Sequence, residues 1–310
     1  RRQRQMCIRD RWGSYHGNTV FGLDVGGMKT RRSVYESWMQ NFPHVAPSYS
    51  YRRPSGMSEE EYGQQLIHEL EECIIQSGPE TIAAFIAEPV VGAALGATEP
   101  VEGYFKAVRE LCDKYGILMI SDEVMTGFGR LGTNFGIERF GVIPDIIAAG
   151  KGMSAGYFPL SAIIAHERVT TVFQNTKTAF LGGHTYACNP LGATAGSFVI
   201  DYMLEQKVVE NCREVGDYFK EQLQALNRHE IVGDIRGKGL LIGVEFVADK
   251  ITRSPFPREL EISRQLVDMM FDRGVLVYPG KGTYDGTLGD HVLICPPLII
   301  SKEETDVIVK

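Results

Sequence analysis

The sequence predicts an α/β chain in which a mostly parallel sheet domain precedes a smaller α+β domain. Three observations carry this expectation. Two short apolar runs, residues 117–120 and 143–149, each stop abruptly on charged or glycine-rich sequence. Buried parallel strands read this way when their C-terminal ends open into a ligand crevice. An amphipathic helix at 101–115 leads straight into the first run, and strand–helix–strand order implies a parallel sheet. From about residue 204 onward, helical and strand-like segments alternate around glycines, which reads as a second, smaller unit. A chain of 310 residues is long enough to bury a large core and to divide in this way.

The bulk numbers exclude several classes. Hydrophobic content of 44% and charged content of 23% are ordinary for a globular protein, and a formal charge of −7 argues against a nucleic-acid surface. No apolar run approaches the length of a membrane span, and the arginines near Met6 are not followed by the apolar stretch of a secretory signal. The six cysteines are scattered with no C-x-x-C pair, and Cys73 and Cys112 fall on apolar helix faces. That pattern predicts reduced packing thiols, no metal site and a cytoplasmic location.

Taken in order, the chain opens on R-R-Q-R-Q-M-C-I-R-D-R, with five arginines, no apolar period and no turn chemistry. Residues 1–11 therefore read as a basic arm or a scar foreign to the rest. W-G-S-Y-H-G-N-T follows, a turn whose Tyr15 either lies flat against a planar ring or merely packs, with His16 beside it. F-G-L-D-V-G-G-M-K-T, residues 21–30, reads as a glycine loop. It is also similar to the phosphate-binding turn of a sugar kinase of the actin-like ATPase fold. Met28 in place of a small hydroxyl residue, the lack of a buried strand before Gly22 and the lack of a second glycine-rich turn count against that alternative.

Ser58 and Glu61 form an S-x-x-E capping box that opens a helix to about residue 77, with Tyr62, Leu66, Leu70 and Ile74 on one face. Residues 81–87 form a buried strand ending on Glu88, which reads equally as a site carboxylate or as a partner for a nearby arginine. In the helix at 101–115, Val101, Phe105, Val108 and Cys112 point inward. Residues 160–165 form another strand. Asn189-Pro190 starts helical sequence that runs to about residue 226. The second unit comprises a strand pair within 231–247, a helix at 257–273, strands at 275–278 and 291–294, and a last helix capped by Ser301 and Glu304.

The two strand ends carry the chemistry. Asp122 closes the first and Lys151 follows the second, each among glycines. Alone, either residue reads as a capping acid or a solvated turn lysine. Together they suit pyridoxal phosphate, which needs a lysine for its Schiff base and a carboxylate on its pyridinium nitrogen. The amine attacks only when neutral, so partial desolvation of Lys151 is expected. The carboxylate keeps the ring nitrogen protonated, so that the ring accepts an electron pair. A phosphate loop at Gly150-Lys151 is excluded, because that pattern wants glycine at 145 and serine or threonine at 152, where Asp145 and Gly152 stand.

The motifs S-D-E-V-M-T-G-F-G-R-L-G, P-D-I-I-A-A-G-K-G-M-S-A-G-Y-F-P-L-S-A and G-G-H-T-Y-A-C-N-P-L-G-A-T-A together resemble the class III aminotransferases. These are fold-type I enzymes that use pyridoxal 5'-phosphate. The resemblance covers nearly all of 12–310, with Met125 standing where many members carry glutamine. It implies Lys151 as cofactor ligand and proton carrier, Asp122 on the ring nitrogen, and Tyr15, His16, Glu88 and Val124 around the ring. Thr185 would reach the phosphate of a partner subunit, so a homodimer with a shared active site is implied.

The implied activity is transfer of an amino group from an amine or omega-amino acid donor to an oxo acid such as pyruvate or 2-oxoglutarate. Decarboxylase or racemase chemistry is the alternative within the fold. The chain has no arginine after Arg273 to grip a substrate carboxylate, so that recognition differs, uses Arg236 or a residue upstream of this chain, or is absent. The expected division is a foreign segment at 1–11, a partial cofactor-binding domain at 12–203 and a small domain at 204–310. On this reading the chain is N-terminally truncated and lacks the family's upstream glycine- and serine-rich phosphate segment. Weak cofactor binding, uncovered apolar faces and an inactive fragment follow as expectations.

Overall fold

The computed structural model describes residues 7–310. Six strands build the first sheet: β1 (Cys7–Arg11), β2 (His44–Val45), β3 (Ile82–Ala87), β4 (Leu118–Asp122), β5 (Ile146–Ala149) and β6 (Ala162–Ala165). Their spatial order is β2-β1-β3-β4-β5-β6. β1 to β5 pair in parallel and β6 runs antiparallel to β5. The mostly parallel sheet expected from the apolar runs is therefore present, and its carboxyl ends share one edge.

Helices α1 (Val20–Val25), α2 (Lys29–Arg32), α3 (Glu59–Ser77), α4 (Tyr104–Tyr115), α5 (Glu167–Thr176) and α6 (Pro190–Glu205) accompany these strands, and α7 (Val208–Leu223) leads into the second unit. The α3 cap forms as predicted: the Glu61 N–H donates to Ser58 Oγ at 3.2 Å, and the Ser58 N–H donates to Glu61 Oε2 at 2.8 Å. Tyr62, Leu66, Leu70 and Ile74 are all buried, in one cluster with Phe85 of β3, Met119 of β4 and Phe105 and Val108 of α4. Each such side chain contributes on the order of 1.5–3 kcal/mol on burial. Gly116 ends α4 at φ +64°, a left-handed position that favours glycine, and the chain turns directly into β4.

Three expectations are corrected. Cys7–Arg11 is a strand within the sheet, paired with β2 on one side and β3 on the other, and Arg9, Asp10 and Arg11 are buried. These residues are therefore not a free arm, while residues 1–6 lie outside the described residues. The Arg11 charge finds tertiary neighbours. The Arg11 guanidinium lies 5.8 Å from the Tyr104 and Phe105 ring centres and donates to the Glu88 carbonyl at 2.8 Å. Residues 21–30 are not a plain loop but contain α1, capped by Thr19, and α2. The helical stretch after Asn189 divides in two at Lys207, whose φ of +52° breaks the helix.

The second sheet has four antiparallel strands, β7 (Val232–Lys238), β8 (Leu241–Phe246), β9 (Tyr278–Lys281) and β10 (Asp290–Ile294), in the order β7-β8-β10-β9. The strand expected at 275–278 forms three residues later, where pairing of Lys281 with Asp290 closes a hairpin. Helices α8 (Ile262–Phe271) and α9 (Lys302–Val309) complete this unit. Cys212, Val215, Phe219 and Leu223 of α7 pack on Ile242, Val244, Val292 and Ile294 of its sheet. Among the described residues no helix is long and apolar enough to cross a membrane.

Candidate active site

Four chain segments leave the carboxyl ends of adjacent strands and converge. After β1 come Tyr15 and His16, after β3 comes Glu88, β4 ends on Asp122, and β5 leads through Gly150 into Lys151. The ladder places Ser121 opposite Ala87 and Asp122 opposite Ala148, so the acidic residues and the lysine segment lie side by side. A one-residue slip would move every side chain of a strand to the opposite face, so the buried positions of β3 and β4 fix the register.

Asp122 is held by two donors. Its Oδ1 accepts the Val124 N–H at 3.0 Å, and its Oδ2 lies 2.6 Å from His16 Nδ1. The other His16 nitrogen, Nε2, lies 2.8 Å from Oδ2 of Asp10 on β1. Burial disfavours a charged ring, but the two carboxylates prevail and raise the His16 pKa to about 10. Burial also works against a charged Asp10, and here too the imidazolium wins, lowering its pKa.

Glu88 accepts the Tyr15 N–H at 3.1 Å and the Gly92 N–H at 2.9 Å. Burial and the charge of Asp122 outweigh the pull of His16 and push its pKa up to about 7. Glu88 thus clamps the backbone of the Y-H-G turn rather than pairing with an arginine side chain. The Arg31 guanidinium lies 4.8 Å over the Tyr15 ring.

Val124 reaches the lysine segment: a Cβ built on Gly150 would sit 3.7 Å from a Val124 methyl. Lys151 itself is exposed, with φ +41°, so the desolvation expected for its amine does not come from this chain's own packing. Thr185 lies in an exposed turn before α6, away from these residues, and Asn189, not Thr185, caps that helix.

Arg236 is corrected. Its donors reach the Gly96 carbonyl at 2.8 Å, the Leu95 carbonyl at 2.7 Å, Asp234 at 2.9 Å and Glu245 at 2.7 Å. It is a buried strut between the two units, with four of its five N–H donors engaged by the chain itself. Two residues that sequence reasoning missed are Asp10 and Glu123. Glu123 is fully buried and accepts the Gly136 and Ile137 N–H groups, each at 2.8 Å, and the Thr126 hydroxyl at 2.5 Å, tying the start of the T-G-F-G-R-L-G loop to the segment that follows it.

The sequence matches the family model described as Aminotransferase class-III over residues 2–310. This chain belongs to that family. It is 43% identical to an uncharacterized aminotransferase of Schizosaccharomyces pombe, covering 99% of this chain and 68% of that protein. It is 36% identical to gamma aminobutyrate transaminase 3, chloroplastic, of Solanum lycopersicum, covering 94% of this chain and 55% of that one. The solved (S)-enantioselective omega-transaminase from Thermomicrobium roseum superposes with a TM-score of 0.89 at 36% identity, covering 98% of this chain and 66% of the other. The chain thus spans about two thirds or less of the length of the proteins it resembles. These likenesses establish the fold-type I architecture and set aside the kinase alternative, whose phosphate turn would need a strand where α1 stands.

Membership implies pyridoxal 5'-phosphate as cofactor, and the residues present fit it. A lysine amine and a buried carboxylate, the latter backed by a protonated imidazole, stand on neighbouring strand ends with an aromatic residue and a valine alongside. Among the described residues no group of three His, Cys, Asp or Glu side chains is arranged to hold a metal ion.

Proposed function

We propose that the protein carrying this chain transfers an amino group from an amine or omega-amino acid donor to an oxo acid such as pyruvate or 2-oxoglutarate. The observation that carries this reading is the convergence of Tyr15, His16, Glu88, Asp122 and Lys151 at four adjacent strand ends. The printed name of the tomato relative supports an omega-amino acid donor. When bound, the cofactor supplies an aldehyde carbon for an amine and a ring that takes up an electron pair. Lys151 Nζ would be the amine that holds the cofactor, and it would carry the proton taken from and returned to the substrate carbon. Asp122 would hold the proton of the ring nitrogen and Tyr15 and Val124 would stand beside the ring, while His16 fixes the Asp122 carboxylate. Arg236 is buried with four of its five N–H donors engaged by the chain, which favours donors recognised mainly by their amine.

The protein acts as a homodimer in which Thr185 serves the site across the interface. Phe180, Leu181, Tyr186, Leu191 and Phe198 are exposed around Thr185, an apolar face of the kind that subunit interfaces cover. Free thiols at Cys73, Cys112, Cys188, Cys212 and Cys295 support a cytoplasmic setting. The large domain runs from β1 to residue 203 and the small domain from 204 to 310.

The test is Lys151→Ala. The variant should lose both the borohydride-reducible link between protein and cofactor and nearly all transamination, while keeping its fold by circular dichroism. A reducible link that survives would assign the ligand to another lysine and defeat the reading.

A further inference from the structure

Asp10 lies on β1, is 1% exposed, and faces the same crevice as the strand ends described above. One of its oxygens, Oδ2, takes both Nε2 of His16 at 2.8 Å and the hydroxyl of Ser14. On the opposite side of the imidazole, Nδ1 meets Asp122 Oδ2 at 2.6 Å. A neutral imidazole has one N–H donor and one bare nitrogen acceptor. With carboxylates on both nitrogens, a neutral ring would set its bare nitrogen against an acceptor oxygen at one end or the other. Only the doubly protonated ring makes both bonds, and these are charge-assisted.

We propose that Asp10 is a positioning residue of the site: by binding the far nitrogen of His16, it keeps the ring doubly protonated against Asp122 and so holds the charge facing the cofactor's ring nitrogen constant across neutral pH. The inference rests on the aminotransferase reading only for its last clause. The state of the ring belongs to the chain itself. Without Asp10, His16 still bonds Asp122 through Nδ1–H as a neutral ring, but it can then gain and lose its second proton near neutrality. The charge beside Asp122 would follow.

The other groups around the ring do not replace Asp10. Arg11 stands beside it on β1, His44 on β2 and Arg32 on α2 influence the Asp10 side, and burial keeps His44 biased toward its neutral form. Glu88 contributes from the end of β3, with a pKa near 7, and Asp122 from β4. Of these, Asp10 and Asp122 alone touch the ring nitrogens. The sign follows from the direction of the shift. The His16 pKa is raised from 6.5 to about 10, so the folded state holds more protons than the unfolded chain between those values. The stabilisation is complete below pH 6.5 and is lost as pH rises through about 10.

The experiment is a pH titration of the histidine ring nitrogens by NMR in the holoenzyme, labelled at histidine, with His16 assigned by its loss in His16→Gln. The same samples are followed by cofactor absorbance, and Asp10→Asn is compared with the unmodified protein. The amide is isosteric and can donate to a bare Nε2, so it suits the neutral ring. In the unmodified protein the His16 ring should keep both protons from pH 6 to 9. In Asp10→Asn its midpoint should fall by at least one unit, and the cofactor absorbance should acquire the same midpoint. A His16 ring that loses a proton near its ordinary value in the unmodified protein overturns the proposal, whether or not the variant folds. An unchanged midpoint in Asp10→Asn overturns it as well. Absence of a lysine-linked cofactor would defeat the aminotransferase reading alone, because the ring titration is read on the protein's own nitrogens.

Discussion

At the scale of single residues, the site works by making two carboxylates different. Glu88 and Asp122 leave neighbouring strands, yet Glu88 is satisfied by backbone N–H groups and Asp122 by an imidazolium. Burial raises the Glu88 pKa to about 7, so that it exchanges its proton near neutrality, whereas Asp122 keeps a cation within hydrogen-bond reach. Asp122→Asn keeps the shape of the side chain and removes its charge. Losing a charge-assisted hydrogen bond of this kind costs on the order of 1.5–3 kcal/mol. The variant should therefore still load cofactor, while its turnover falls by about tenfold or more. Near-normal kcat would show that Asp122 does not face the ring nitrogen. The motif that carries Asp122 was readable from type and spacing. Asp10 was not, because a lone acid among arginines in C-I-R-D-R offers no signal until β1 is seen beside the Y-H-G turn.

At the scale of elements, α3 and α4 pack their apolar faces against β3 and β4. Leu70 is 1% exposed and sits mid-way along the apolar stripe of α3, among Phe105, Ile82 and Phe85. Leu70→Ala should destabilise the protein by about 2–5 kcal/mol through lost transfer energy and a residual cavity. A urea midpoint within error of the parent would mean that α3 does not anchor the sheet. Because Leu70 is remote from the site, loss of activity should track loss of folded protein. This element was legible in advance: a capping box followed by apolar residues at intervals of four specifies both the start and the buried face of a helix. The short α1 and α2 were not, since six- and four-residue helices carry too few turns to show a period.

At the scale of the whole molecule, the two units are joined through a buried charge cluster. Arg236 of β7 and Arg52 from the large unit both bond Glu245 of β8, and Arg236 also reaches the carbonyls of Leu95 and Gly96. Glu245 is fully buried, so removing one arginine leaves it under-compensated. Arg236→Ala should cost about 3–5 kcal/mol and loosen the junction between the units. Hydrogen exchange should then rise at residues 95 and 96 and along β7. If exchange there stays as slow as in the parent, the cluster is not what couples the halves. The Tyr49 hydroxyl also bonds Glu245, so these changes are not additive with substitutions at Tyr49.

What the sequence determined by itself was everything written in local chemistry: the apolar runs of β3 to β5, the caps of α3 and α9, and the glycine-bounded acid and lysine that name the cofactor. Those signals survive without a fold because period, capping and residue type act over a few positions. Tertiary structure alone decided the rest. It turned a stretch read as a foreign arm into a strand within the sheet, made Asp10 the second partner of His16, and gave Arg236 four partners within the chain. A charge reveals its role only through its neighbours, and those neighbours lie 6, 77 and 141 residues away along the chain for Asp10, Arg11 and Arg236. Burial in a low-dielectric interior then leaves each charge only the partners that the fold brings within reach.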